Sequence, residues 1–235
     1  MTLCLAVTLV FLVSSLSSAQ QSQPCKSPPY LTGQFFVTLN AEHTYWNYEY
    51  NTALQRMKMF QTEYLTNRSS TYDYLLHFGE GVMYEIDTLT SSCYKRPLRT
   101  HYQPIEIPDD AVFLVNWVFG SLSVPNAGLK TLGWMGYNHR GEEYNRFVTE
   151  VGCVPYHTIF QTEDHGEVIM VFMNSTMHTT APDDLSPPRF CPNKNTSPKG
   201  KPVDFISLFS ETKARDLRRA LEKLKNVYLN NYSFS

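Results

Sequence analysis

The chain has 235 residues, ample for a hydrophobic core in one large β domain or two small ones; 42% are apolar and 14% aromatic, a bias that favours strands. The net charge of −2 hides an asymmetry: residues 20–193 hold 11 Lys/Arg against 18 Asp/Glu, residues 194–235 nine against four. An acidic body whose one basic stretch is a short tail argues against DNA or RNA binding.

Residues 1–19 open with an apolar run from Leu3 to Val13 and end in Ser17-Ser18-Ala19, which predicts a signal peptide cut after Ala19. The run is too short to span about 30 Å of hydrocarbon comfortably, and no later segment approaches about 20 apolar residues. The mature protein is therefore expected to be soluble and secreted. Cys4 leaves with the leader. Cys25, Cys93, Cys153 and Cys191 remain, an even number that predicts two disulfides with three possible connectivities. Their wide spacing argues against zinc, whose sites begin with closely spaced pairs. Sequons at Asn67, Asn174, Asn195 and Asn231 predict a glycoprotein with these positions at the surface.

After a Pro-rich opening, "PCKSPP", strand-like runs follow at 34–40, 43–50, 53–64, 71–78, 81–88, 91–99, 112–120, 129–138, 143–151, 154–162 and 166–178. Gly79–Gly81, "NHRGEE" and "EDHGE" read as hairpin turns. No helical period intervenes, so the sheet is expected to be antiparallel, and about eleven strands must curl or fold over. Residues 100–111, with two prolines, read as a loop crossing between strand groups. Residues 182–202, with six prolines, read as an irregular linker pinned by Cys191.

Beyond the linker the period changes. Leu217, Ala220, Leu221, Leu224 and Tyr228 recur at three- and four-residue steps, which predicts an amphipathic helix over 210–229, capped by Ser210. Its polar side carries Arg215, Arg218, Arg219, Lys223 and Lys225, so it either packs as a solvated helix or meets anionic lipid. The expected organisation is a signal peptide at 1–19, a β domain at 20–193 and a basic helical tail at 194–235.

Chemistry is sparse. There is no Gly-x-Ser-x-Gly elbow, no His-Glu-x-x-His and no phosphate-cradling glycine loop, so no enzyme is expected. The pairs Asp109-Asp110, Glu142-Glu143 and Asp183-Asp184 read as solvated turns or, at best, a weak calcium site. The seven histidines show no metal spacing, although histidine charges between about pH 5 and 8. The stretch "YLLHFGEGVMYEID" makes two strands, each with an apolar side. Tyr74, Leu76 and Phe78 from the first and Val82, Tyr84 and Ile86 from the second would line one concave face. Alternation alone does not decide whether they are solid core or the wall of a pocket.

Several stretches together resemble the ependymin-related family of secreted glycoproteins. They are the opening "PCKSPP", "HFGEGVMYEID" followed by "SCYKRPL", "IEIPDDAVF", "EVGCVPYHTIF" and "SPPRFCP". The likeness covers about residues 24–192. It implies pairing of Cys25 with Cys153 and of Cys93 with Cys191. It also implies a strongly curved antiparallel β-sandwich, similar to bacterial lipoprotein carriers, around a deep apolar pocket. The implied ligands are fatty acids, anionic lipids or gangliosides, for which a pocket of roughly 300–1,000 Å³ would serve. Secretion, lysosomal location, calcium association, homodimers and cell–matrix adhesion are further family attributes, and a calcium-associated matrix protein is the alternative reading. A third bridge of some members lacks its first cysteine here, near Arg68–Ser69. The basic tail departs from the pattern, in which vertebrate relatives are expected to stop soon after the last shared cysteine.

Overall fold

The computed structural model describes residues 22–63, 68–100, 105–177, 185–211 and 221. The leader, Asn67, Asn231 and nearly all of the expected basic helix lie outside them. Eleven strands appear: β1 (Tyr30–Leu39), β2 (Glu42–Asn51), β3 (Arg56–Glu63), β4 (Arg68–His77), β5 (Val82–Asp87), β6 (Ser92–Pro97), β7 (Val112–Gly120), β8 (Gly128–Tyr137), β9 (Glu143–Thr149), β10 (Pro155–Thr162) and β11 (Gly166–Thr176). Each falls on one of the expected runs. The strands that the turns separate are rich in Val, Ile, Tyr, Phe, Trp and Thr, which fit a pleated surface.

All the strands join one antiparallel sheet in the order β6-β5-β4-β3-β2-β1-β11-β10-β9-β8-β7. The chain meanders from β1 outward to β6, crosses to the far edge at β7, and meanders back until β11 pairs with β1. Residues 105–111 lie on this crossing. Ile107, 2% exposed, anchors it beside Trp134 and Val148, and its N–H bonds the Cys25 carbonyl.

The sheet cannot be flat. Met57 of β3 and Phe78 beyond β4 share one cavity with Phe160 of β10 and Met170 of β11, strands far apart in the sheet order. The main core lies on this inner face, where Phe35, Trp46, Tyr48, Met59, Tyr74 and Leu76 are 0–2% exposed. Burying one such aromatic or aliphatic side chain contributes about 1.5–3 kcal/mol.

The core does not end at the expected domain boundary of 193/194. Val203, Leu208 and Phe209, each 0–2% exposed, belong to the same cluster. Val203 makes a parallel bridge with Leu98, and its N–H bonds the Pro97 carbonyl at 2.9 Å. A helix then begins at residue 207, three residues before the expected start. Asp204 caps it: its Oδ1 accepts the N–H of Ile206 at 3.0 Å and of Ser207 at 2.8 Å. Ser207 Oγ in return accepts the Asp204 N–H at 3.2 Å, a reciprocal cap of Asp-x-x-Ser spacing. Ser210 is an exposed residue inside the helix.

The other face of β4–β5 is also covered. Cys93 of β6 is bonded to Cys191, and the strap 185–200 lies across the outer side, with Leu185 fully buried against Leu75, Val82, Tyr84 and Ile86. A second disulfide, Cys25–Cys153, ties the N-terminal segment to the β9–β10 turn.

Candidate functional site

Antiparallel register puts directly paired residues on one face. Tyr74 pairs with Glu85, Leu76 with Met83, Leu75 with Tyr84 and His77 with Val82. The six residues expected to share a concave wall are therefore split. Tyr74 and Leu76 point inward, 1% and 0% exposed, as solid core. Val82, Tyr84 and Ile86 point outward, under the strap. Phe78 lines the cavity. Val82, Tyr84 and Ile86 do share one face, but every residue of β5 is buried, so alternation does not tell inner from outer.

The cavity, of about 160 Å³, sits between the two ends of the curled sheet and the segment that leads into the helix. Its apolar wall is Met57, Phe78, Ile105, Phe160, Met170 and Phe172, closed by Phe205 and Ile206. Its mouth is polar and mostly basic: Arg99, His139 and Arg140, with Glu142 and Asp204; Arg146 is buried in the wall. The β8–β9 turn is held in shape by Asn138, whose Oδ1 accepts the N–H of Arg140 at 2.8 Å and of Glu142 at 3.0 Å. Arg140 reaches Asp164 on the neighbouring turn at 3.5 Å, and His165 Nε2 lies 3.9 Å from Asp204 Oδ1.

Arg146 is the deepest cation of the wall, 6% exposed. Its guanidinium donates to the Glu106 carbonyl at 2.6 Å and stands 5.0 Å from the centre of the Tyr144 ring. Burial pulls its pKa below the ordinary arginine value, while Tyr144, Tyr50 and Glu106 pull the other way. Burial likewise raises the Tyr144 phenol. A cation held beside an apolar space can fix an anionic or polar head while the space takes a hydrocarbon group.

A second cleft, about 650 Å³, lies between β6 and the strap. Its walls carry Glu85, Lys95, Arg96 and Lys199 beside Tyr94 and Pro192, so charged groups stand among apolar ones. Among the described residues, no group of three or more His, Cys, Asp or Glu is placed to hold a metal ion. Asn174 and Asn195 are exposed; Asn174 Nδ2 donates to Gln34 Oε1 at 3.0 Å.

Most of the wall is not singled out by the sequence. Met57, Phe160, Met170 and Phe172 sit on expected strands with visible alternation. Nothing in that alternation tells which distant strands meet when the sheet curls.

The fold and cavity define a class: a curved all-β sheet that keeps an apolar space under its own C-terminal segment. The chain belongs to the ependymin family, whose profile matches residues 66–191. It is 32% identical over 215 residues to ependymin of Esox lucius, covering 88% of this chain and 94% of that protein. It is 29% identical over 215 residues to ependymin-2 of Salmo salar, covering 88% and 96%. With mammalian ependymin-related protein 1 of Mus musculus it shares 22% identity over 175 residues, covering 72% and 76%. Since 88% of 235 residues is about 207, the fish alignments reach residue 207 or beyond whatever their start. The match therefore continues past Cys191 into the 192–207 segment.

Among solved structures, an uncharacterized conserved protein from Thermus thermophilus aligns with a TM-score of 0.45 at 8% identity, over 75% of this chain and 91% of that one. A LolA superfamily protein from Nitrosomonas europaea aligns at 0.33 and 9% identity, over 69% and 92%. Ependymin homologues are secreted extracellular proteins, which supports secretion of this chain.

Proposed function

We propose that this protein is a secreted glycoprotein that binds a hydrophobic ligand without catalysis, in the cavity between the curled sheet and the 203–211 segment. The ligand class is an amphiphile with an acyl or similar hydrocarbon part and an anionic head: a fatty acid, an anionic lipid or a ganglioside. The observation that carries this reading is a wall of Met57, Phe160, Met170 and Phe172 under a rim of Arg99 and Arg140, with Arg146 buried in the lining. Each methylene removed from water contributes about 0.8 kcal/mol. The exposed sequons at Asn174 and Asn195 support glycosylation.

The test is solvent extraction of the purified secreted protein followed by mass spectrometry, with titration of a delipidated sample by a fluorescent fatty acid at pH 7 and pH 5. Co-purified lipid or saturable uptake is expected. A protein that neither retains nor takes up lipid at either pH is not a lipid binder.

A further inference from the structure

The space found is small for the ligand proposed. An engineered apolar cavity of about 150 Å³ accepts benzene, whereas drug-sized ligands occupy roughly 300–1,000 Å³. The cavity here measures about 160 Å³. The rest of the inner groove is filled by the chain itself. Phe209 stands edge-on to Trp46 at 5.3 Å and to Phe35 at 6.1 Å, and Phe205 packs edge-on against Phe209 at 5.2 Å. One side of this segment, at Phe205 and Ile206, borders the open cavity; the other, at Leu208 and Phe209, is fully packed.

We propose that residues 203–211 are an internal plug that mimics the ligand, sets its size, and is displaced by a long hydrocarbon chain. The proposal rests on the hydrophobic-ligand reading above. The plug is bound to the groove as a ligand would be, by apolar contact inside and polar contacts at the rim. At the rim, Phe205 N–H donates to Thr100 Oγ1 at 2.6 Å, and Arg96 Nη1 holds Glu211 at 2.8 Å. His165 approaches the capping Asp204. Among the described residues, no strand pairing beyond the single bridge at Val203 ties the segment to the sheet. Gly200, at φ 90°, and Pro202 precede the bridge and supply a turn about which the segment can swing. Removing the plug would bare Phe35, Trp46 and Tyr74, an aromatic floor continuous with the cavity wall. A small ligand fits beside Phe205 and leaves the plug seated, whereas a long one competes with Phe209 for the same floor. Its apparent affinity is then reduced by the fraction of time the plug is in place.

The experiment uses the full-length, disulfide-intact protein with toluene and with oleate as probes. Hydrogen exchange is followed by mass spectrometry in peptides covering 203–211. Oleate is expected to speed exchange there by about tenfold or more while β1 and β2 stay protected, and toluene to leave it unchanged. Phe209→Ala is expected to tighten oleate binding by about fivefold or more, since a weaker plug competes less. Glu211→Gln, which leaves the core intact, is expected to speed oleate entry. Oleate that binds with 203–211 equally or more protected, with unchanged affinity in Phe209→Ala and unchanged entry in Glu211→Gln, overturns the plug and leaves the binding reading standing. If neither the native protein nor the variants bind oleate, both readings fall together.

Discussion

The outer face of the sheet is apolar over both halves, yet among the described residues only one half is covered. Over β4–β6 the strap 185–200 buries Leu75, Val82, Tyr84 and Ile86 to between 1% and 6% exposure. Over β7, Val112, Leu114 and Trp117 remain 54%, 45% and 49% exposed. The difference does not lie in local hydrophobicity, since "VFLVNWVFG" is the greasier run. It lies in where the chain goes after β11: toward β6, where Cys191 meets Cys93. The two edges differ in the same way. The Lys199 N–H bonds the Lys95 carbonyl along β6, whereas β7 simply ends the sheet. An edge strand left open and apolar is one that natural proteins ordinarily blunt or cover. Stability should therefore concentrate in the strapped half.

The largest effect should come from releasing the strap. Cys191→Ser opens a loop of 98 residues and, in the chain-entropy account, costs about 4.7 kcal/mol. Urea unfolding measures it; a loss under about 1 kcal/mol would show that the strap adds little. Next is Lys95, 6% exposed, whose ammonium donates to the carbonyls of Lys194 at 2.8 Å, Thr196 at 2.9 Å and Asn193 at 3.4 Å. One side chain thus organises the turn of the strap as a bound cation would. Lys95→Met is expected to cost about 1–3 kcal/mol by the same assay, because the charged donor to three converging carbonyls is lost. An unchanged midpoint would mean that the carbonyls are as well served by water.

These elements also mark how far the sequence can be read. All eleven strands, the crossing at 100–111 and the antiparallel meander follow from alternation and turn residues, which are local. The strap is visible only as a Pro-rich linker, because its burial depends on a disulfide between positions 98 residues apart. The pocket face is not legible because both faces of β5 are buried: alternation groups Val82, Tyr84 and Ile86 but does not tell which face of β4 they join across the turn. The plug escapes for a different reason. The run "VDFISLF" is too short to show a helical period, and the basic repeat after it draws the boundary late. Its capping signal, Asp204 followed at the third position by Ser207, is legible.

A third test probes the strapped half through acid. Under the strap, His77 donates from Nε2 to the Leu185 carbonyl at 3.1 Å, and its Nδ1 lies 3.6 Å from Glu80. Burial lowers its pKa below 6.5, and Arg56 adds to that; the Leu185 carbonyl and Glu80 act in the opposite sense. A histidine with a lowered folded pKa binds fewer protons folded than unfolded. Its contribution is whole above about pH 6.5 and is lost as pH falls through the folded value. On the bare half His157, stacked on Phe147, is lowered by burial in the same sense. His77→Gln should flatten the acid side of the stability curve by less than one proton's slope, about 1.4 kcal/mol per pH unit. Parallel curves for native and variant protein between pH 7 and 5 would exclude it.

The smallest effect tests the bare half directly. The protein has three tryptophans, and Trp46 and Trp134 are each 1% exposed. Trp117, half exposed, stacks on Phe147 with ring centres 5.0 Å apart and planes 14° apart. Acrylamide should therefore quench one component of the tryptophan emission and spare the rest. Trp117→Phe should remove that component while moving the unfolding midpoint little, since an aromatic ring is kept and such a stack contributes only about 0.5–1.5 kcal/mol. Quenching distinguishes two causes of an apolar outer face. If Trp117 is quenched, the β7 side is open to water in solution and the strap alone accounts for the asymmetry. If all three tryptophans are protected, something beyond the described residues covers β7 as the strap covers β5.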